Sequence, residues 1–279
     1  MQATLNTLRA LMRSPQGAVG TVLVTLLLII SIFGPVIAPQ DPEGFNFGAR
    51  FSEPTSQFLF GTDWFGRDLL SRILVGARST VLLAILATII GTAIGAMIGI
   101  FSGFVGGWVD ELIMRAVDAI MAIPGLLLAL MILTVLGSSS LNAVIAIGIA
   151  FAPGMSRIAR STTLSVRELD YVSAARARGE SSLWIIFAEI LPNMVAPVIV
   201  EATIRVAFAI MTLATLSFLG LGAQPPSSEW GLMIAEAREH MFRSPWPIVV
   251  PGIAIALIAI AFNLLGDGLR DVLNPQAQE

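Results

Sequence analysis

Side chains able to do chemistry are few in this 279-residue chain, and most stand in acidic–basic sets at short spacing. Asp63, Arg67 and Asp68 form a compact cluster ahead of one apolar stretch. Glu201 and Arg205 lie four apart near the start of another, and Asn263 and Asp267 lie four apart near the end of a third. The chain has one His, His240, and no Cys, which excludes disulfides, thiolate nucleophiles and Cys- or multi-His metal sites. All 16 basic residues are Arg. With no Lys there is no Walker A lysine for ATP, no Schiff base and no Ser–Lys dyad.

The sets that remain read better as structure than as catalysis. An i,i+4 Glu–Arg pair can neutralise itself, so Glu201 and Arg205 are read as structural ahead of a substrate contact. Asn263 and Asp267 read as anchors at a helix end. The Asp63–Arg67–Asp68 cluster reads as an ion-pair network that orders a loop, and His240 as a solvated residue on a short amphipathic stretch, Trp230 to Phe242. Proteolysis inside a membrane needs two Asp within spans, whereas here Asp falls in loops or at span ends. No cofactor or metal is expected, and no catalytic residue.

The elements that position these residues follow from composition. The chain is 56% hydrophobic and 13% charged, where a soluble domain carries about 25% charge. Mean hydropathy is +0.84. Several apolar runs approach the roughly 20 residues that cross a bilayer. The fold class is an all-α membrane protein with six transmembrane helices: about 19–38, 79–101, 119–136, 141–155, 194–221 and 248–265. A net charge of −3 leaves no basic patch for nucleic acid. The first run exceeds the 7–15 apolar residues of a signal peptide and lacks a clean cleavage site, so it reads as a retained span.

With the N-terminus inside, Arg9, Arg13, Arg115, Arg157, Arg160, Arg167, Arg176, Arg178 and Arg270 face the cytoplasm, against Arg50, Arg67, Arg72, Arg78, Arg238 and Arg243 outside. That bias favours both termini inside. The resulting organisation is a cytoplasmic N-terminus over 1–17, a first transmembrane helix over 18–38, an extracytoplasmic loop over 39–76, a five-helix core over 77–266 that contains a cytoplasmic loop at 157–192, and a cytoplasmic C-terminus over 267–279. Within the second span Gly91, Gly95, Gly99 and Gly103 recur every fourth residue, a small-residue face that lets another helix approach closely.

The 157–192 insert is the least apolar part of the core. From Arg167 good helix formers run without a breaker to Gly179, which can take the left-handed conformation that ends a helix. Ser181 or Ser182 can cap the next helix, carrying Leu183, Trp184, Ile185, Ile186 and Phe187, and Pro192 is expected to stop it before the fifth span. On physics alone that apolar cluster could equally lie on the bilayer surface or dock a partner.

The segment resembles the EAA loop of binding-protein-dependent ABC transporter permeases, EAA-x3-G-x9-I-x-LP. Ser173-Ala174-Ala175, Gly179 and Leu191-Pro192 stand at the matching positions, with Ser173 in place of Glu and Glu189 in place of Ile. Further blocks resemble the dipeptide/oligopeptide/nickel permeases: Phe60-Gly61-Thr62-Asp63-Trp64-Phe65-Gly66-Arg67-Asp68, Ser217 to Gly222 with Gln224-Pro225-Pro226, Glu229-Trp230-Gly231, Pro251-Gly252 and Ala261 to Asp271. They are similar to the shorter of the two permease types.

The resemblance implies an ABC importer type I permease fold in a bacterial inner membrane, importing peptides or related small solutes. It implies a second permease subunit, two ATP-binding cassette subunits and an extracytoplasmic substrate-binding protein as partners. ATPase coupling would fall to Ser173, Ala174, Ala175, Arg176, Gly179, Trp184, Leu191 and Pro192. The rival is a self-sufficient secondary transporter or channel, for which acidic residues and broken helices at mid-membrane are the expected marks.

Overall fold

A computed structural model describes residues 2–273. Apolar helix formers, punctuated by Gly, Pro and capping Ser or Asp, fold into ten helices among these residues: α1 (Gln2–Arg13), α2 (Pro15–Ile37), α3 (Leu69–Val105), α4 (Gly107–Met121), α5 (Gly125–Leu136), α6 (Ser140–Arg167), α7 (Asp170–Ala177), α8 (Ser182–Phe218), α9 (Trp230–Ala237) and α10 (Trp246–Leu273). No strand occurs among them beyond an isolated bridge between Thr62 and Asp68. The starts are set by side-chain caps. Ser14 accepts from the Gly17 N–H at 3.1 Å, Asp68 from Ser71 at 2.9 Å and Ser139 from Asn142 at 3.1 Å.

Five helices are each long and apolar enough to cross a membrane: α2, α3, α6, α8 and α10. The expected third span, 119–136, is not one helix. It divides between α4 and α5, which bend by 87° across Ala122–Pro124, and only as a bent pair do they make a sixth crossing. Pro124 lacks an N–H and disfavours helix in the residue before it, which breaks the run there.

The helices also overrun the boundaries that hydropathy suggests. α3 is 37 residues, about 55 Å at 1.5 Å per residue, against a hydrocarbon core of roughly 30 Å. The polar loop expected over 39–76 therefore ends at Asp68. α6 runs through the first part of the 157–192 insert to Arg167, and α8 begins inside it at Ser182. Only α7 is free-standing there, after a break at Glu168–Leu169 in what reads as one uninterrupted helix from Arg167. The first span starts at Pro15, and α10 continues past 266; residues 274–279 of the expected C-terminal segment lie outside the described residues.

Pro192 does not stop its helix. It lies inside α8, just after a π-helical stretch over Ile185–Ile190. The wider π turn shifts the register ahead of the proline, so its ring and missing N–H are absorbed and the chain stays helical.

The core forms where α3 and α6 pack together with α8 and α10 around them. Gly91, Gly95, Gly99 and Gly103 meet α6 face to face: a Cβ at Gly91 would come within 2.8 Å of the Gly148 carbonyl oxygen, and one at Gly99 within 2.7 Å of the Ala159 Cβ. Large apolar side chains such as Val22, Phe33, Val135 and Ile253 stay exposed on the outer faces, surface suited to lipid or another membrane subunit.

Candidate functional site

Three charged assemblies are held at three levels of the helices. At the end carrying the 38–68 loop, Asp63 accepts from Arg67 Nε at 2.6 Å and from Arg72 Nη1 at 2.7 Å. Glu236, on α9, reaches Arg67 Nη2 at 2.8 Å and Arg72 Nη1 at 3.2 Å. Two acids thus balance two buried bases. The cluster expected from Asp63, Arg67 and Asp68 is there as a network, but Asp68 caps α3 instead of joining it, and Arg72 and Glu236 take its place. Trp230, buried beneath, donates from Nε1 to the Ile73 carbonyl at 3.1 Å. Glu229 caps α9 by accepting from Gly231 and Leu232; its burial pushes the carboxyl above the ordinary carboxylate range, and those N–H donors offset part of that rise. His240 is half-buried between Phe51 and Trp64, at ring separations of 5.4 and 5.5 Å, and is not the solvated residue expected.

At the opposite end stands α7. Val172 and Ala175 turn inward onto Ile185, Ile190 and Met194, while Ser173, Ala174 and Arg176 face out. Gly179 has φ +80°. Its N–H reaches the Arg176 carbonyl at 3.0 Å, and Glu180 N–H reaches Ala175 at 3.2 Å, a Schellman close that turns the chain sharply. Ser181 caps α8 by accepting from the Trp184 N–H at 3.2 Å. Of the apolar cluster, Ile185 is buried and Ile186 half-buried; Leu183, Trp184 and Phe187 are exposed. Leu191 and Pro192 are exposed farther along α8, away from the α7 turn.

This exposed turn rests on a braced base. Asp110 of α4 is paired with Arg160 of α6 through contacts of 2.5 and 2.6 Å and also accepts from Ser102 of α3. Arg167 donates to the Gly103 carbonyl at 2.7 Å, and Arg157 pairs with Asp118 at 2.5 Å. Three of the arginines read from sequence as topology markers are therefore also cross-links between helices.

Between these ends, Arg205 and Glu201 form an ion pair at 2.8 Å on α8, with side chains 19% and 20% exposed. They do not lie near the start of a span. Arg205 is about 17 Å along the helix from Met194 and about 20 Å from Phe218, near the middle of its apolar length. Its guanidinium lines a cleft of about 200 Å³ where α6 and α8 meet the crease between α4 and α5. Sequence reading missed this cleft because the crease brings Ile120, Ile123 and Gly125 against Pro153 and Gly154; the Pro124-Gly125 pair was its one visible signal. Among the described residues no group of His, Cys, Asp and Glu has the arrangement to hold a metal ion.

Comparison with known proteins agrees with this geometry. Residues 95–279 match the family described as the binding-protein-dependent transport system inner membrane component, and residues 5–54 match the N-terminal TM domain of oligopeptide transport permease C. The chain is 40% identical over 268 residues to the dipeptide transport system permease protein DppC of Alkalihalophilus pseudofirmus, covering 96% of this chain and 88% of that one. It is 44% identical over 269 residues to the glutathione transport system permease protein GsiD of Shigella flexneri, covering 96% and 89%. In fold it is similar to a chain of the MetNI methionine ABC transporter in inward-facing conformations, with TM-score 0.58 and 16% identity over 72% of this chain and 96% of that one.

Proposed function

Because the chain belongs to the family of binding-protein-dependent transport system inner membrane components, as a membrane permease subunit of an ABC importer, we propose that the α7 turn is its coupling contact with a separate ATPase. The observation that carries this is the pairing of an anchored face with an exposed one. Val172 and Ala175 fix α7 to the long helices, while Ser173, Ala174 and Gly179 are exposed, and Arg176, also exposed, holds its guanidinium 5.6 Å from the Phe104 ring. A small helix held this way can pass a push to α6 and α8 as a rigid lever. Trp184, exposed beside the turn, extends the contact, and Leu191 and Pro192 steer the helix behind it.

Two marks of the rival secondary transporter do occur here: a charged pair at mid-depth and a broken helix. Glu201 and Arg205 neutralise each other, however, and family membership sets the self-sufficient reading aside. In the proposed assembly a second permease completes the pathway, two ATPase subunits sit on the cytoplasmic side, and a substrate-binding protein delivers cargo outside. Both termini of this chain are cytoplasmic, in a bacterial inner membrane. ATP binding closes the ATPase pair, which favours one of two permease states through the docked α7. The cargo is a short peptide or a related small solute, as the names of the dipeptide and glutathione relatives suggest.

A mild-detergent pull-down of the tagged chain from its native membrane tests this. Recovery of a second permease and an ATPase, lost when Ser173, Ala174 and Arg176 are replaced by Asp, is the expected result. Recovery of the chain alone, or an ATPase retained by that variant, overturns it.

A further inference from the structure

We propose that Arg205 is a cargo-binding residue, its guanidinium taking the carboxylate of a short peptide in the cleft at the α4–α5 crease. The inference rests on the permease reading above and adds a recognition site to it. Three observations carry it. The Glu201 ion pair engages one terminal amine of Arg205, while Nε is buried and has no hydrogen-bond partner. A buried donor left unpaired is rare and costly, and calls for an acceptor.

Room is kept for the guanidinium at the edge of an open cleft. Gly154 of α6 faces the guanidinium so closely that a Cβ there would stand 2.7 Å from Nη2. Any larger residue at 154 would push the guanidinium aside or fill the cleft. The cleft, of about 200 Å³, is bordered by Arg205 together with apolar and backbone atoms of Ile120, Ile123, Gly125, Leu128 and Pro153. No acidic side chain lines it; Glu201 meets Arg205 from its own helix, one turn away, and leaves the cleft itself without a carboxylate.

Its depth and electrostatics suit an anion. Arg205 sits midway along the apolar part of α8, where a charge is retained only against a strong cost. Gly125 opens α5, whose N-cap, Pro124, makes no side-chain hydrogen bond. The first-turn N–H groups of that helix are therefore free of capping, and their positive helix end borders the same cleft. With Nη2 held by Glu201, Nε and Nη1 remain as donors for a carboxylate. The apolar wall beside it suits a peptide side chain, and the volume is that of one end of a dipeptide; the rest of the cargo would lie against the second permease.

The test uses the whole importer in nanodiscs and a photo-activatable probe, alanyl-photoleucine, as the free acid and as its C-terminal amide. After illumination, labelled residues are mapped by mass spectrometry. The free acid should label the 120–128 and 150–154 segments about tenfold more than the amide, the scale of a hydrogen bond to a charged group. Arg205→Gln should reduce labelling by the acid to the level of the amide, and Arg205→Lys should restore part of it. Equal labelling by the two probes, as when an acidic side chain of a partner subunit already fills the site, overturns the proposal. So does wild-type labelling in Arg205→Gln. Failure of the chain to assemble with an ATPase at all removes the permease reading itself, an outcome seen before any probe is added.

Discussion

Asp63 and Arg72 are joined at 2.7 Å, one in the loop and one in the first turn of α3, and Glu236 of α9 closes over the pair. The contact ties the 38–68 loop, a long membrane helix and the short helix beyond α8 into one body. Asp63→Asn leaves two buried guanidinium groups against a single carboxylate. Breaking a buried pair from one side costs about 3–5 kcal/mol. A large fall in the thermal midpoint of the purified protein is expected, with partial recovery in the double variant Asp63→Asn/Arg72→Met. No fall in the single variant would show the network to be solvated and dispensable.

Gly179 adopts φ +80° with nothing near the position a Cβ would occupy, so its requirement is one of backbone conformation alone. Alanine in that conformation costs about 1–2 kcal/mol locally, and proline, fixed near −65°, cannot adopt it. Gly179→Pro should insert in the membrane normally while the partner ATPase hydrolyses ATP without cargo uptake. Gly179→Ala should fall between. Normal uptake with normal coupled hydrolysis in Gly179→Pro removes α7 from the coupling path.

What the sequence disclosed and what it hid divide along physical lines. Helix type, the Gly179 bend, the Ser181 cap and the glycine face of α3 follow from local chemistry, and all are visible in residue order. Helix ends were hidden, because nothing at Arg72 or Arg160 breaks a helix: their charges are taken up by Asp63, Glu236 and Asp110, partners from distant segments. Pro192 misled for a related reason, since the π stretch that absorbs it has no marker of its own. The cleft at Arg205 depends on an 87° bend, and hydropathy carries no information on angle.

Glu229 gives the end that carries the 38–68 loop a pH dependence of defined sign. Burial raises its pKa above the ordinary carboxylate range despite two backbone donors. The folded state therefore holds the proton to higher pH than the unfolded one does. Stability should fall as pH rises from the unfolded value through the raised native value. Glu229→Gln, which keeps an acceptor for the α9 N-terminus and cannot ionise, should flatten this slope. Thermal midpoints taken across that pH range decide it; an unchanged slope in the variant assigns the dependence elsewhere.

Glycine has opposite consequences at two helical positions here. At Gly99 a Cβ would lie 2.7 Å from both the Ala159 Cβ and the Arg160 backbone nitrogen, so α3 and α6 must separate to admit it. Overpacking of this kind costs about 1–3 kcal/mol, and here it also strains the nearby Arg160–Asp110 pair. At Gly252, inside α10, a Cβ meets nothing within 4 Å, so alanine removes only the conformational penalty of glycine in a helix, about 1 kcal/mol. Gly99→Ala should therefore lower the unfolding midpoint of the purified chain and Gly252→Ala should raise it. Both substitutions add the same methyl group, so equal shifts would mean that α3 and α6 do not pack as closely as their glycines allow.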